Sequence, residues 1–414
     1  MVAVAEEPKN ILLIGLGPSA IAALQTLLPK LPPSYRIVAV SASEAYWAIA
    51  SLRAAVVPGW EKKVVAPVGK VFGEEQKSGK LVLLESTKVV RLEEKRARLD
   101  RGRGDKGAEF EGGWVNFEFC IVATGTAYAF PCRPADGASV EEIVSSLQAQ
   151  QRDLASSSTV LISGGGPVGI EYAGEVAAYY DGSTPERKQK RIVLVHPRER
   201  FMEEKEGWKK ALGDKVAQQL EELGVEVKLG RRVKVKEAEM MESGRVEGGK
   251  EFELDNGEKI NADFLFIAYG FAPNSSFCTS LSPSVLNKRK QVITKPTTQI
   301  DSPDGRYDHI FAIGDVNDFE ERKIAVYAVG QVPTMAHNLL LLLNASETQS
   351  APPSASLLKT HVLGGPNVGL SIGHDKGASQ FYGWVIGPWL TKWSKSRHLH
   401  VSHFEKAYNV VHTA

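Results

Sequence analysis

The sequence predicts an α/β protein in which one sheet-and-helix unit occurs twice, followed by a small C-terminal α+β module. Three observations predict it. Two aliphatic runs, Ile11–Ile14 and Val160–Ser163, each enter a glycine-rich turn, Gly15-Leu16-Gly17-Pro18-Ser19-Ala20 and Gly164-Gly165-Gly166-Pro167-Val168-Gly169. Each turn opens an apolar helical pattern. Later strands also repeat: Ala123-Thr124-Gly125 has its counterpart in Ala268-Tyr269-Gly270. Strand, glycine turn and helix in that order are the context in which G-x-G-x-x-G/A marks a dinucleotide site. The first glycine permits the tight turn, the second admits a pyrophosphate to the backbone, and the third small residue lets helix pack on strand. The helix N-terminus then faces the anion with its unpaired N–H groups. Gly15, Gly17, Pro18, Ser19 and Ala20 form the first set of cofactor-binding candidates. Gly164, Gly166, Pro167, Val168 and Gly169 form the second, and Thr124, Gly125 and Gly270 join them from strand ends. Two Rossmann-like units imply two dinucleotides and a hydride passed between them.

The elements follow in order. Residues 10–30 read as strand, turn and helix, stopped by Pro29 and Pro32-Pro33, and Arg36–Val40 is the second strand. Residues 81–99 alternate apolar and polar as an antiparallel meander would. Phe117–Ala123 is a strand, and Val140–Leu154 is a helix leading to the second turn. The second unit continues with a helix over Val168–Tyr180, a strand at Ile192–Val195, an alternating segment Val225–Leu254 and a strand from Phe264. A third block, Ile310–Asp315, is a strand ending in Gly-Asp, and an apolar helix follows. The Ser-, Ala- and Pro-rich stretch 345–356 separates the module at 357–414.

Composition sets limits. Lys and Arg number 50 against 49 Asp and Glu, and that balance argues against nucleic-acid binding, which needs clustered cations. The three cysteines, Cys120, Cys132 and Cys278, are too few and scattered for a disulfide framework or a zinc site. The N-terminus lacks the pattern of a secretory signal. The longest apolar stretch, Ile324–Leu343, is broken by Gln331, Pro333, His337 and Asn338 and reads as a buried helix, not a membrane span. The expectation is an unsecreted chain, cytoplasmic or peripheral on a membrane, lipid droplet or mitochondrion. His398, His400 and His403 are read as an incidental set in a strand, and no metal is expected.

The glycine turns, Ala123-Thr124-Gly125, Glu171 and Ile313-Gly314-Asp315 occur in the order of the two-dinucleotide flavoprotein reductases, which this chain resembles along nearly its whole length. Within that superfamily, Ala50-Ser51-Leu52-Arg53-Ala54, Lys323-Ile324-Ala325 and the tail Thr391–Arg397 are similar to the apoptosis-inducing-factor-like branch, nearest its ferroptosis-suppressor type. The resemblance implies FAD and NAD(P)H as cofactors and quinones as acceptors. It assigns residues 1–135 and 290–345 to an FAD domain, 136–289 to an inserted NAD(P)H domain, and 357–414 to a module over the flavin face. It also implies that Gly15, Gly17, Pro18, Ser19 and Arg53 contact FAD, that Val89 meets the adenine side through its backbone, and that Asp315 accepts a hydrogen bond from the ribitol side. Ser41 stands where such domains commonly carry an acid for the adenosine ribose, with Glu44 close by.

The region where many members place a redox cysteine pair, Glu44–Ser51, contains none, so electrons are expected to pass from flavin directly to a small acceptor. Three residues are the catalytic candidates. Glu171 reads either as a favourable charge at a helix N-terminus or, from the resemblance, as a nicotinamide contact. Gln331, with Val332, is expected to open the apolar helix and aim its N-terminal amides at the flavin. Lys323 is either a proton donor to the ring region or a solvated lysine. At the end of the strand Ile192–Val195, His196 stands in place of an acid, and Arg198 and Arg200 follow, a pattern that suits the 2′-phosphate of NADPH unless both arginines are solvated. The stretch Phe381–Trp393 holds Trp384, Trp389 and Trp393, which suits either a lipid surface or flat ligand, or a packed core. The other readings are a ferredoxin- or monodehydroascorbate-type reductase and a redox-responsive, apoptosis-related flavoprotein.

Overall fold

The computed structural model describes residues 7–67, 72–101, 110–235, 243–269 and 272–408. The first sheet is parallel throughout, in the spatial order Ile310–Ala312, Phe119–Val122, Lys9–Ile14, Tyr35–Val40, Leu81–Leu84. Its central strand is buried on both faces, which explains the unbroken aliphatic run. Ile11 and Leu13 enter the core shared with the helices Pro18–Leu27 and Val332–Glu347, while Leu12 and Ile14 enter the core behind the sheet. One expectation is corrected here. Leu81–Leu84 belongs to this parallel sheet, and only Thr87–Leu92, Arg96–Arg101 and Trp114–Asn116 form the antiparallel meander. Alternation cannot separate an edge strand of a parallel sheet from a meander strand, because both bury one face.

The second unit lies between two strands that are neighbours in the first sheet, Phe119–Val122 and Ile310–Ala312. Its entry helix, Val140–Ser156, starts at a capping box in which Ser139 and Glu142 satisfy each other's backbone N–H groups. Its sheet runs Val225–Leu229, Arg191–His196, Thr159–Ser163, Lys259–Ile267, with Gly244–Glu253 added antiparallel at the edge.

The C-terminal module is a three-stranded antiparallel sheet, Val368–Ile372, Lys376–Phe381 and Trp384–Ile386, with short helical turns and the helix Val401–Tyr408. Val368, Leu370 and Ile372 enter the second unit's core beside Tyr172 and Val176. Phe404 reaches the first unit's core and stacks on Trp47 at 5.7 Å. The three histidines lie in a turn and the start of that last helix, not in a strand, and among the described residues no cluster can hold a metal ion.

Ala325–Glu347 is long and apolar enough to cross a membrane, yet Val332, Met335, Ala336, Leu339 and Leu343 are spent in the first core. The helical stretch begins at Ala325, not near Gln331. Gln331 is the joint between Ala325–Gly330 and Val332–Glu347, just before Pro333, whose missing N–H interrupts the ladder.

Candidate active site

Both glycine turns lie at the carboxyl ends of their central strands, where strand order reverses and ligands of such sheets bind. Gly15 has φ +99°, and a Cβ there would stand 2.5 Å from the Ala123 carbonyl oxygen. A Cβ on Gly169 would be 1.8 Å from the Gly164 oxygen, so helix and turn touch with no room between them. Gly17 and Gly166 are different, because a Cβ on either meets nothing within 4 Å. Neither helix has a side-chain cap, and the first helical amides bonded are Ile21 to Gly17 and Ile170 to Gly166, each at 3.0 Å. Open space beside two uncapped helix N-termini fits two pyrophosphates. Ala20 is fully buried at the helix–strand contact, and Pro18, Pro167 and Val168 form the first helical turns.

The Gly-Asp turn faces the first of these openings. A Cβ on Gly314 would lie 3.1 Å from the Ser19 hydroxyl. Burial pushes the Asp315 carboxyl up to about 6, with Lys323 opposing. Lys323 is itself lowered by burial and donates to the carbonyls of Asn317 at 2.8 Å and Phe319 at 3.2 Å, so it is not a solvated lysine. Behind the turn runs a buried relay. His361 Nε2 meets Glu321 Oε1 at 3.0 Å, and Glu321 Oε2 accepts from Gln331 Nε2 at 3.0 Å. Gln331 Oε1 then accepts from Gly314 N–H and from Asn317, both at 2.8 Å. The reading of Gln331 as a catalytic residue is corrected accordingly: with its side chain 2% exposed and fully engaged, it positions the Gly-Asp turn. Val332 beside it is buried in the core.

Glu171, in the second turn of the second fingerprint helix Pro167–Tyr179 and not in its first, accepts from the Ser371 N–H at 3.0 Å and pairs with Lys395. Lys395 also donates to the Gly369 carbonyl. One turn on, Glu175 holds Arg53 in a bidentate pair at 2.7 and 2.8 Å, and Arg53 donates further to the Arg397 carbonyl. Arg53 is 2% exposed and lies over the Trp60 ring, so the expected contact with FAD is replaced by a structural pair. Thr124 is likewise engaged: its hydroxyl donates to the Asn274 carbonyl and Asn274 returns a bond, clasping the two units together. Gly125 next to it has φ +62° and an open Cβ direction.

At the ribose ends, the Ser41 hydroxyl donates to Ser43, and Val89 lies in a strand whose register shifts before Arg91. His196 is held neutral, pushed down to about 4 by burial. Its Nδ1 accepts the Gly165 N–H at 3.1 Å, which leaves the proton on Nε2. Arg198 pairs with both Glu203 and Glu206, and Arg200 pairs with Asp214. Both side chains stay partly exposed, 41% and 37%, so each is an ion-paired arginine at the surface and not a lone loop charge. Gly270 lies outside the described residues.

Sequence reasoning missed Glu175, Glu321, His361 and Tyr128. Tyr128 is raised by burial and, less, by the charge of Asp315. The i, i+4 spacing of Glu171 and Glu175 within an otherwise apolar helix was the available signal. Cys120 and Cys278 are buried in the first unit's core, and burial pushes the Cys132 thiol up to about 12.

A family model described as pyridine nucleotide-disulphide oxidoreductase matches residues 9–337. Apoptosis-inducing factor homolog B of Dictyostelium discoideum is 25% identical, with 97% of each chain covered. Ferroptosis suppressor protein 1 of Taeniopygia guttata is 25% identical over 86% of this chain and 84% of its own. Among solved structures, the sulfide:quinone oxidoreductase of Aquifex aeolicus superposes with a TM-score of 0.68 at 15% identity, covering 97% of this chain and 92% of its own. The water-forming NADH oxidase of Lactobacillus brevis, bound to NADH, gives 0.61 at 13% identity, over 90% and 74%.

Proposed function

The chain belongs to the pyridine nucleotide-disulphide oxidoreductase family, and from that premise we propose that it passes a hydride from NAD(P)H to FAD and electrons onward to a quinone-type acceptor. FAD, when bound, supplies the hydride-accepting chemistry. The observation that carries the acceptor class is the absence of a usable thiol. All three cysteines are free, two are fully buried, and the third is raised to about 12 and is therefore a neutral thiol at pH 7. A dithiol relay has no nucleophile here, which leaves a small diffusible acceptor.

The residues divide the work. The turns at Gly17 and Gly166 offer amides to the two pyrophosphates. Asp315 is set to accept a bond from a cofactor hydroxyl, its desolvation offset by Lys323. Gln331 holds the Gly314 amide so that this carboxylate stays in place. Glu171, fastened by Ser371 and Lys395, ties the C-terminal module to the second fingerprint helix.

Steady-state oxidation of NADH and NADPH, with and without a short-chain ubiquinone analogue, tests the proposal together with the visible spectrum of the purified chain. The expected result is a flavin spectrum and a rate that rises with quinone concentration. A flavin-loaded chain whose NAD(P)H oxidation is unaffected by quinone refutes it.

A further inference from the structure

The bend after the second nucleotide strand, Arg191–His196, gathers charged side chains from both units. Arg198 donates through a single nitrogen, Nη1, to Glu203 Oε2 at 2.9 Å and to Glu206 Oε1. Its Nε and Nη2 donors have no partner among the described residues. Lys205 Nζ stands 3.0 Å from Glu203 Oε2. The last member comes from the first unit. Arg322, between the Gly-Asp turn and the helical stretch at Ala325, pairs with Glu206 Oε2 at 3.1 Å and donates to the Glu206 carbonyl at 2.7 Å. Its guanidinium lies over the Trp208 ring at 5.3 Å. The set surrounds the strand end where an adenosine ribose is read in such folds, because Arg198, Glu203 and Glu206 all act electrostatically on His196.

Arg322 decides two properties of this set. The first is its sign. The second unit alone brings Arg198 and Lys205 against Glu203 and Glu206, which cancel, and Arg322 leaves one cation in excess. Glu199 lies against Gly230 instead, and Arg200 is matched by Asp214. A phosphomonoester carries about −1.5 to −2 charges at neutral pH, so it meets a neutral set without Arg322 and a cationic one with it. The second property is orientation. Glu206 gives one oxygen to Arg198 and the other to Arg322. Without Arg322 both oxygens fall to Arg198, whose planar fork takes a carboxylate in the same bidentate way as a phosphate. The bend itself has other supports. Lys209 N–H donates to Gln380 at 2.8 Å, Gln380 donates to the Gly207 carbonyl at 3.2 Å, and Trp208 is buried in the second unit's core.

We propose that Arg322 is a positioning residue for nucleotide choice: by holding Glu206 it keeps the Arg198 guanidinium open to the 2′-phosphate of NADPH. The proposal rests on the second unit being the NAD(P)H site. It assigns part of the choice between NADH and NADPH to a residue outside that unit, in the segment whose neighbours Glu321 and Lys323 already fasten the Gly-Asp turn.

The test is isothermal titration calorimetry of the full flavin-loaded chain with ADP-ribose and with 2′-phospho-ADP-ribose, which differ only in the phosphate. Wild type, Arg322→Gln, Glu206→Gln and the double variant are compared. Arg322→Gln should weaken 2′-phospho-ADP-ribose about five- to tenfold and change ADP-ribose by less than about twofold. In the Glu206→Gln background the carboxylate is gone, and the same substitution should change the 2′-phospho compound by less than about twofold. Equal weakening by Arg322→Gln in both backgrounds overturns the proposal, because the effect then does not pass through Glu206. Equal loss of both ligands in Arg322→Gln makes the residue a structural tie and overturns it too, as does an unchanged affinity for both. A wild-type chain that binds neither compound refutes the nucleotide reading itself, and the proposal falls with it.

Discussion

Replacing Asp315 with asparagine separates what the carboxylate costs the fold from what it does for the cofactor. Burial raises this group from 3.8 to about 6, against the pull of Lys323. A carboxyl raised in the folded state binds its proton more tightly there than in the unfolded chain. Its contribution to stability is therefore fully present below pH 3.8 and is lost as pH rises through about 6. The difference amounts to about 3 kcal/mol at neutral pH. Asparagine keeps the shape and cannot ionise. In flavin-free protein, Asp315→Asn should thus be more stable than wild type at pH 8 by up to about 3 kcal/mol, with the advantage vanishing near pH 4. The same change removes a charged acceptor worth about 1.5–3 kcal/mol to a bound hydroxyl, so FAD affinity should fall about ten- to a hundredfold. Urea denaturation of the flavin-free proteins across pH 4–8 and fluorescence titration with FAD measure the two effects. Parallel stability curves for wild type and variant, or an unchanged FAD affinity, would refute the reasoning.

Gly17→Val should fold normally yet lose its flavin, because a Cβ there meets no protein atom within 4 Å and stands where a pyrophosphate belongs. Gly15→Ala should instead destabilise the fold, since its Cβ collides with the Ala123 carbonyl at φ +99°; circular dichroism and bound flavin distinguish the two. Glu206→Gln should raise kcat/KM for NADPH relative to NADH by about tenfold, or about 1.4 kcal/mol, because it releases Arg198 from one of its two carboxylates. A ratio that does not move would place the 2′-phosphate away from Arg198. Cys132→Ser should keep turnover within about tenfold of wild type, since a thiol raised to about 12 carries no thiolate at pH 7; a larger loss would show that this cysteine takes part.

What could be read in the sequence was what is local in it. The glycine turns and the aliphatic central strands are each fixed by residues within a few positions of one another, and their patterns survive translation into structure. The site's partnerships are not local. Arg53 finds Glu175 across 122 residues and Glu171 finds Lys395 across 224, so no window of sequence displays either pair. Arg53 therefore read, from the resemblance, as a cofactor ligand, and Glu171 as either a helix-terminus charge or a nicotinamide contact. Gln331 was misjudged for a different reason. Pro333 resembles a helix start, but the preceding turns were already helical, and the proline merely jointed them. The second nucleotide strand hid its acids in the same way, because Glu203 and Glu206 return to Arg198 only through a bend that periodicity does not show.

The packing of Val368, Leu370 and Ile372 against the second fingerprint helix has a consequence for the making of the protein. Gly174 on that helix approaches the Ile372 backbone so closely that a Cβ would lie 2.7 Å from its Cα. The second unit's own strands are complete once Ile267 has been made, but its core is not. A ribosome delivers chains from the N-terminus, and domains ordinarily fold in that order as they emerge. Here the second unit's core stays incomplete until Ile372 has left the exit tunnel. A chaperone that shields apolar surface has its natural client in that interval, and a stop codon anywhere before Val368 leaves the nascent chain in it permanently.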